Sequence, residues 1–506
     1  MIQQLYDRFN SLGELLKAGI EIDENHSAII YGDWHFSYRQ IEILSNKVAN
    51  FLVSKGIKRN DRIALCCVNS HLFVIWYFGI LKAGATVVPI NYLLSPEEIR
   101  FIFTDSKVNG LAYYHVFEQS LKPVVDSASI GLLVSIGKPD GNEEKTISKQ
   151  PQSFLPRRVD QKNDVAVILY TSGTTGRPKG VMLTHRNLLF DIDAIIRFLP
   201  ISEKDIFISV LPMFHAFGAT ASMLTPIALG GCIVAIPKFA PEAVAEIIKK
   251  TRATVFMGVP SMYVIFNKMS EKIKDNFSSL RFCISGGAAL PVNVLEEFER
   301  KFGVLIYEGD GPTECSPVTS VNPVGGKRKT GSIGLPLPGI EMKIVDESGN
   351  EQDPGEIGEI VVRGENVMKG YLNLPEETTL SFLGAWFRTG DLGYKDKDGY
   401  FYIVDRKKEL IIVNGLNVYP KMVEDVLYRH PAITEAAVVK YPHPLHGEVP
   451  KAFIVTKEGE KLSTQEVRIF CSKFLAHYEV PKIIEFVSEL PKTPTGKIDK
   501  KALTKR

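Results

Sequence analysis

Residues 170–180 bring together chemical groups that suit an anion: hydroxyl side chains, glycines and a lysine between two strand-like runs. Glycines let backbone N–H groups turn towards an anion, hydroxyls donate further hydrogen bonds, and lysine adds a positive charge. The segment therefore predicts a phosphate-binding loop, with an ordinary surface loop as the alternative. It differs from the Walker A pattern because Lys179 is followed by Gly180. The expected contacts are Thr171, Ser172, Gly173, Thr174, Thr175, Gly176 and Lys179.

Other charged residues are candidates for catalysis, although each alone also has a structural explanation. Lys497 follows Pro-Thr-Gly, but it also belongs to a lysine-rich C-terminal stretch. His215 lies among apolar residues, where a lone histidine is usually a satisfied core residue. Asp391 as an acceptor and Arg406 as a donor are, taken singly, typical of surface salt bridges.

The elements that must position these residues alternate between helix and strand, which predicts layered α/β architecture. Ser37 caps an amphipathic helix that ends before Gly56. Ser95, followed by Pro96 and then Glu98, is typical of a capping box with proline at the first helical position. Residues 165–170 form a short apolar run that predicts a buried strand leading into the phosphate loop.

The amino-acid composition changes towards the C-terminus. Residues 391–399 are rich in turn-forming residues, and a charged run follows at 405–409. Beyond them we predict a strand at 410–413, a helix led by Pro420, strands near 436–439 and 452–455, and a capping box at 463–466. These residues suffice for a core of their own in a unit of about 100 residues. We therefore expect a domain over 1–404, a hinge over 405–408 and a lid domain over 409–506.

Length and composition limit the class of protein. The chain has 506 residues, which allows about two to four domains. It carries 60 Lys+Arg against 58 Asp+Glu, with 45% hydrophobic residues, as in ordinary globular proteins. Because acidic and basic residues alternate along the chain, a nucleic-acid partner is not expected.

The six cysteines form no C-x-x-C pair, so we interpret them as reduced thiols and expect a cytoplasmic protein. The N-terminus lacks the plan of a signal peptide, and the apolar runs fall short of the ~20 residues that span a bilayer. Peripheral membrane contact and a homodimer both stay open, because no interface can be read from the pattern.

The phosphate-loop candidate resembles that of the adenylate-forming superfamily, which comprises acyl-CoA synthetases, peptide-synthetase adenylation domains and beetle luciferases. The resemblance continues, in the family's order and approximate spacing, over essentially the whole chain. The matching segments are 212–218 (PMFHAFG), 285–291 (SGGAALP), 311–314 (GPTE), 386–391 (WFRTGD), 405–408 (DRKK), 414–420 (NGLNVYP) and 491–498 (PKTPTGKI).

The resemblance implies a large N-terminal domain of layered sheets and helices with a small, mobile α+β C-terminal domain. It also implies two half-reactions: a carboxylate attacks the α-phosphate of ATP to give acyl-AMP, and then a thiol, usually of CoA, displaces AMP. Lys497 would bridge the carboxylate and the phosphate, Glu314 would bind Mg²⁺, and His215 would line the carboxylate end of the acyl pocket.

The remaining roles implied by the family concern the nucleotide, the hinge and CoA. Thr313 would contact phosphate, Asp391 the ribose, and Arg406 the ribose or phosphate. Lys408 matches the hinge pivot. The other residues on the nucleotide side are Gly287, Glu308, Gly309 and Asp310, and those on the CoA side are Asn414, Gly415 and Asn417.

Asp310 departs from the family pattern, since an aromatic residue that stacks on adenine normally stands three positions before Thr313. Loss of base stacking costs about 1–3 kcal/mol. The Asp310 carboxylate can instead accept a hydrogen bond from the adenine amino group, or it can initiate a turn at Gly311. We hypothesise that ATP still binds, with altered base selectivity.

The substrate is expected to be an uncharged, apolar carboxylic acid. Amino-acid adenylation domains carry an acidic residue near the position of His215, and residues 285–290 here are small and apolar. The first hypothesis is a ligase that joins a medium- or long-chain fatty acid to CoA. The alternatives are an acyl-AMP ligase that loads a carrier protein, a luciferase-like oxygenase and a non-catalytic nucleotide-binding relative.

Overall fold

The computed structural model describes residues 4–126, 130–138, 141–171, 178–457, 459–493 and 496–504. Ser172, Gly173, Thr174, Thr175 and Gly176 of the predicted phosphate loop lie outside these ranges. The α-helices are Leu5–Arg8, Leu16–Asp23, Tyr38–Ser54, His71–Lys82, Pro96–Ser106, Glu118–Val125, Asn142–Ser148, His185–Phe198, Ala216–Ala219, Thr225–Leu229, Pro241–Thr251, Pro260–Lys268, Val292–Phe302, Pro375–Leu380, Pro420–Tyr428, Thr464–Cys471 and Lys500–Thr504.

Several of these helices begin at the predicted positions, where side chains near the helix start hydrogen-bond to free backbone N–H groups. The Ser37 side chain accepts a hydrogen bond from the Gln40 N–H, and the Gln40 side chain accepts one from the Ser37 N–H. The same reciprocal cap begins Pro96–Ser106 and Thr464–Cys471. A cap of this kind contributes about 1 kcal/mol, because it satisfies N–H groups that have no partner within the helix. The three predicted caps and the helix led by Pro420 are confirmed.

Two sheets form the larger part of the molecule. One follows the order Leu335–Pro336, Ser320–Val321, Ile306–Asp310, Phe282–Ser285, Val255–Gly258, Ile206–Ser209, Cys232–Ala235, Ser27–Tyr31 and Trp34–Ser37. The second follows the order Gly370–Tyr371, Lys179–Thr184, Val165–Thr171, Thr86–Pro89, Arg62–Cys66, Gly110–Tyr114 and Leu132–Ile136. The inner strands of both sheets are largely parallel, so the layered α/β architecture is confirmed.

The predicted buried strand is the strand Val165–Thr171, whose central residues are buried. It pairs antiparallel with Lys179–Thr184, and Thr171 lies opposite Lys179 in the register. The two ends of the predicted phosphate loop are therefore adjacent across a hairpin.

Two further sheets follow towards the C-terminus, and their strands are antiparallel except for the parallel pair Gly447–Thr456 and Ile483–Phe486. A third sheet has the order Glu341–Val345, Gly358–Arg363, Trp386–Lys395 and Phe382–Leu383, with Phe401–Arg406 also paired to Trp386–Lys395. A fourth has the order Leu416–Val418, Ile411–Val413, Gly447–Thr456 and Ile433–His443, with Ile483–Phe486 also paired to Gly447–Thr456. The third sheet ends at Arg406 and the fourth begins at Ile411, on either side of residues 407–410.

The fourth sheet and its helices have a separate apolar core that includes Ile411, Val423, Leu427 and Val438. A larger core joins the helices and sheets before residue 405. The domain limits 1–404, 405–408 and 409–506 remain a prediction. Within the described ranges, no helix combines the length and apolar character needed to cross a bilayer. All six cysteines are buried and free, as expected of reduced thiols.

Candidate active site

A cavity of about 1270 Å³ opens where strands of the first sheet end and residues of the C-terminal unit cover them. Its walls include the turn after Phe282–Ser285, the end of Ile306–Asp310 and the segment 403–409. Most of the described candidates line it: Thr171, Lys179, His215, Gly287, Glu308, Gly309, Asp310, Thr313, Glu314, Asp391, Arg406, Lys408 and Lys497. Tertiary folding therefore brings together residues that are far apart in the chain.

Lys497 lines this cavity and is hydrogen-bonded to Thr493. Its N–H donates to the Thr493 side chain at 3.2 Å, and its carbonyl accepts from the Thr493 N–H at 2.7 Å. Gly496 has a φ of +83° and packs so closely that a Cβ atom there would lie 3.1 Å from the Ser261 hydroxyl. Glycine is therefore needed both for the backbone conformation and for the close approach to the helix Pro260–Lys268.

The Lys497 side chain lies against Gly287. A Cβ atom on Gly287 would be 3.2 Å from Lys497 Cε and 3.6 Å from Nζ, and Gly287 itself has a φ of +80°. Burial lowers the pKa of Lys497, and the Arg406 cation lowers it further, whereas Asp310 and Asp391 oppose these effects. The ammonium group thus lies among charged residues of the cavity lining.

His215 is neutral in this environment. Burial lowers its pKa to about 3, with the Lys497 charge as a second cause. Its Nδ1 accepts a 3.4 Å hydrogen bond from the Phe217 N–H at the start of the helix Ala216–Ala219. An imidazole that accepts at Nδ1 carries its proton on Nε2 and can donate there without adding charge.

The wall next to His215 is apolar. Phe217 packs against Gly286, where a Cβ atom would lie 3.2 Å from the ring. Met257 and Ile284 are neighbours across two parallel strands. The apolar lining of this part consists of Phe217, Ala221, Met257, Val264 and Ile284.

Asp391 and Arg406 are paired with each other. They face one another across neighbouring strands, and Arg406 Nε lies 2.8 Å from Asp391 Oδ1. Burial raises the pKa of Asp391 to about 6; Arg406 lowers it and Asp310 raises it. One carboxylate oxygen of Asp391 is therefore already paired with Arg406, which leaves fewer acceptor sites for the predicted contact with a ribose.

Asp310 ends the strand Ile306–Asp310 at the same cavity. Its carbonyl oxygen accepts two 2.9 Å hydrogen bonds, from the N–H and the hydroxyl of Thr319. Burial raises the pKa of its carboxyl, while Arg406 and Lys497 lower it. The next residue must be glycine, because a Cβ atom on Gly311 would lie 1.9 Å from the Pro317 carbonyl oxygen.

Glu308 lines the cavity, but backbone N–H groups take up its carboxylate. The Gly331 N–H donates at 3.1 Å and the Leu290 N–H at 3.4 Å. Burial raises its pKa to about 7. The Glu308 carboxylate thus links two loops of the cavity wall. The sequence pattern did not indicate this role.

Gly309 lies close to the neighbouring strand, since a Cβ atom there would be 3.0 Å from the Ser320 carbonyl oxygen.

Glu314 lies on the short turn Thr313–Cys315, and its Oε1 accepts a 2.8 Å hydrogen bond from the Tyr371 hydroxyl. The Lys179 ammonium lies over the Tyr371 ring, 5.0 Å from its centre. Sequence reasoning missed Tyr371, which no recognised motif includes. A carboxylate has about four lone-pair sites, so Glu314 retains acceptor capacity for a cation.

The predicted CoA-side residues are placed elsewhere. Asn414, Gly415 and Asn417 are exposed on the hairpin between Ile411–Val413 and Leu416–Val418, outside the set of described residues that line the cavity. Asn414 contacts the His446 ring at 3.1 Å. Lys408 does line the cavity, and burial lowers its pKa.

Comparisons with known proteins agree with this architecture. The family model described as AMP-binding enzyme matches residues 16–372, and the model of the AMP-binding enzyme C-terminal domain matches residues 422–497. A long-chain-fatty-acid–CoA ligase of Bacillus subtilis (strain 168) is 38% identical over 498 residues, covering 90% of this chain and 87% of the relative. The enzyme of that name from Escherichia coli O157:H7 is 34% identical over 98% of this chain and 94% of its own.

Solved structures show the same fold. ATP-bound MatB from Rhodopseudomonas palustris is 30% identical with a TM-score of 0.91, over 97% of this chain and 98% of its own. The anthranilate CoA ligase AuaEII in complex with anthranoyl-AMP is 29% identical with a TM-score of 0.93, over 99% and 98% of the two chains. The resemblance inferred from the motifs is confirmed, and the chain belongs to the AMP-binding enzyme family.

Proposed function

We propose that the protein is an AMP-forming ligase that joins a medium- or long-chain fatty acid to CoA. In the first half-reaction the carboxylate attacks the α-phosphate of ATP, and the bond to pyrophosphate breaks to give acyl-AMP. In the second, the CoA thiol attacks the acyl carbon, and AMP leaves. The observation that carries the proposal is the Lys497 ammonium beside Gly287, between the nucleotide-side residues and an apolar wall.

Lys497 would counter the charges of two anions that must approach each other. A unit charge pair at ~4 Å and an effective dielectric constant of ~20 is worth about 4 kcal/mol. Because the negative charge concentrates between carboxylate and phosphate as the bond forms, this interaction favours the transition state over the separate substrates.

The apolar wall and the neutral His215 support a fatty acid as the acyl substrate. The wall offers favourable burial for an alkyl chain, at about 25 cal/mol per Å² of apolar surface. The Nε2–H of neutral His215 can donate a hydrogen bond to the carboxylate without placing a second positive charge beside Lys497. The fatty-acid ligases among the relatives point to the same substrate class.

The nucleotide would lie along the opposite wall. Thr171, Lys179 and Thr313 would contact phosphates, and Asp391 with Arg406 would bind the ribose. Gly287, which has no side chain beside Lys497, allows the substrate to pass close to the backbone. Mg²⁺, when bound through Glu314 and the phosphates, would neutralise charge on the departing pyrophosphate.

For the second half-reaction we propose that Lys408 is the pivot about which the C-terminal unit turns. Rotation would withdraw Lys497 and bring the hairpin of Asn414, Gly415 and Asn417 to the cavity. A pivot must absorb a large change in φ and ψ, which a linker residue between two sheets can do. We place the reaction in the cytoplasm, where the buried thiols stay reduced.

The test is AMP release by the purified protein with ATP, Mg²⁺ and a series of saturated acids from short to long chains, with and without CoA. We expect release that requires both the acid and CoA and that rises with chain length into the medium to long range. Formation of acyl-AMP without transfer to CoA would indicate an acyl-AMP ligase instead. No acid-dependent turnover with any acid contradicts the proposal.

A further inference from the structure

The phenol of Tyr371 lies between two oppositely charged residues of the nucleotide side. Its hydroxyl donates to Glu314 Oε1 at 2.8 Å, while the Lys179 Nζ lies 5.0 Å from the centre of its ring. All three side chains line the same cavity. The phenol is the donor in this hydrogen bond, because a carboxylate oxygen can only accept.

Tyr371 is paired with the strand that carries Lys179. The segment Gly370–Tyr371 pairs antiparallel with Lys179–Thr184, and the Leu372 N–H donates to the Gly180 carbonyl oxygen at 2.8 Å. The Tyr371 N–H donates to the Thr378 hydroxyl at 2.9 Å. The backbone that carries the phenol is therefore hydrogen-bonded directly to the end of the phosphate loop.

The same segment also holds the turn that carries Glu314. The Met368 N–H donates to the Glu314 carbonyl oxygen at 2.7 Å. Residues 368–372 thus contact the Lys179 strand on one side and the Glu314 turn on the other. Their geometry sets the separation between an ammonium and a carboxylate that would otherwise attract each other into a direct ion pair.

We propose that Tyr371 is a positioning residue for adenylation: its hydroxyl orients the Glu314 carboxylate towards a metal–nucleotide complex, and its ring keeps the Lys179 ammonium apart and free to contact phosphate. A direct Lys179–Glu314 pair would neutralise both groups before the nucleotide arrives. One carboxylate oxygen is held by the phenol, and the acceptor capacity that remains is directed into the cavity. This inference rests on the proposed function, which makes a metal–ATP complex the substrate.

The variant Tyr371→Phe tests the hydroxyl, because it leaves the ring under Lys179. The matched control is Tyr38→Phe, which removes a 2.7 Å hydrogen bond from a buried tyrosine to the Gly231 carbonyl oxygen away from the cavity. The first readout needs no turnover: Mn²⁺ binding in the presence of a non-hydrolysable ATP analogue, measured by electron paramagnetic resonance. We expect about tenfold weaker Mn²⁺ binding in Tyr371→Phe, as for loss of a hydrogen bond to a charged group, and wild-type binding in Tyr38→Phe.

The second readout is ATP–pyrophosphate exchange as a function of free Mg²⁺. The half-saturating Mg²⁺ concentration should rise about tenfold in Tyr371→Phe, while thioester formation from supplied acyl-AMP and CoA stays at the wild-type rate. Unchanged Mn²⁺ affinity with an unchanged Mg²⁺ dependence overturns the proposal. If wild type shows no exchange with any acid, the proposed function fails, but the Mn²⁺ measurement still tests Tyr371.

A double-mutant cycle distinguishes a specific effect of the Tyr371 hydroxyl on Glu314 from a general loss of structure. Glu314→Gln, Tyr371→Phe and the double variant are compared by Mn²⁺ binding and by thermal unfolding. If the phenol acts through Glu314, the two substitutions are non-additive in Mn²⁺ binding, since either one already removes the oriented carboxylate. Additive effects on Mn²⁺ binding, or effects that follow the loss of thermal stability in all variants, contradict the assigned role.

Discussion

Lys497→Ala removes the ammonium group that lies beside Gly287 and leaves the rest of the cavity wall in place. A Cβ atom on Gly287 would lie 3.6 Å from Nζ, so substrate atoms passing over this glycine come within ~4 Å of the charge. At that distance and an effective dielectric constant of ~20, the lost attraction is about 4 kcal/mol. If it acts only in the transition state, adenylation should slow by about a thousandfold.

Two separate measurements locate this effect. ATP–pyrophosphate exchange reports the adenylation step, and thioester formation from supplied acyl-AMP and CoA reports the second step alone. We expect exchange to fall about a thousandfold and thioester formation to stay within about threefold of wild type. Lys473→Ala, at an exposed position of the same C-terminal unit, is the control and should leave both steps unchanged. Equal loss of both steps would show that Lys497 does not act specifically in adenylation.

Three further predictions concern pH and two substitutions in the same cavity. Burial lowers the pKa of Lys497, so its ammonium loses its proton at a lower pH than an ordinary lysine. The exchange rate should therefore fall as pH rises through that lowered pKa. An exchange rate that does not change at alkaline pH would count against a charged lysine. Gly287→Ala should slow exchange in a protein that still folds, because φ is +80° there and the new Cβ would lie 3.2 Å from Lys497 Cε; an unchanged rate would show that the close approach is not needed. Asp310→Tyr should lower the KM for ATP about tenfold and change the preference for ATP over GTP, if stacking worth about 1–3 kcal/mol is restored; an unchanged KM would contradict the hypothesis of altered base selectivity.

Much of the local structure was predictable because its causes are local. The cap of Tyr38–Ser54 involves Ser37 and Gln40, three positions apart, and the caps at Ser95 and Ser463 follow the same spacing. The strand Val165–Thr171 was visible as an apolar run. Backbone groups at a helix start must find partners within a few residues, so short sequence windows contain the necessary information.

Parts of the site were not predictable, because distant segments supply the partners. Tyr371 lies 57 residues from Glu314 and carries no pattern that marks it as a hydrogen-bond donor. Glu308 was expected to contact the nucleotide, yet its carboxylate accepts from the backbone of Leu290 and Gly331. Which acceptor a side chain satisfies depends on burial and on neighbours brought by other strands, and neither is encoded at short range.

Motif order and local hydrogen bonding depend on near neighbours along the chain, so the family, the helix caps and most of the chemically reactive residues can be recognised from the amino-acid sequence. The charge state and the hydrogen-bond or ion-pair partner of each group depend instead on how the chain folds in three dimensions. Folding buries His215 and so keeps it neutral, pairs Asp391 with Arg406, and seats Lys497 against Gly287. Desolvation and Coulomb interactions act through space, so their outcome is known only once distant segments have packed around the cavity.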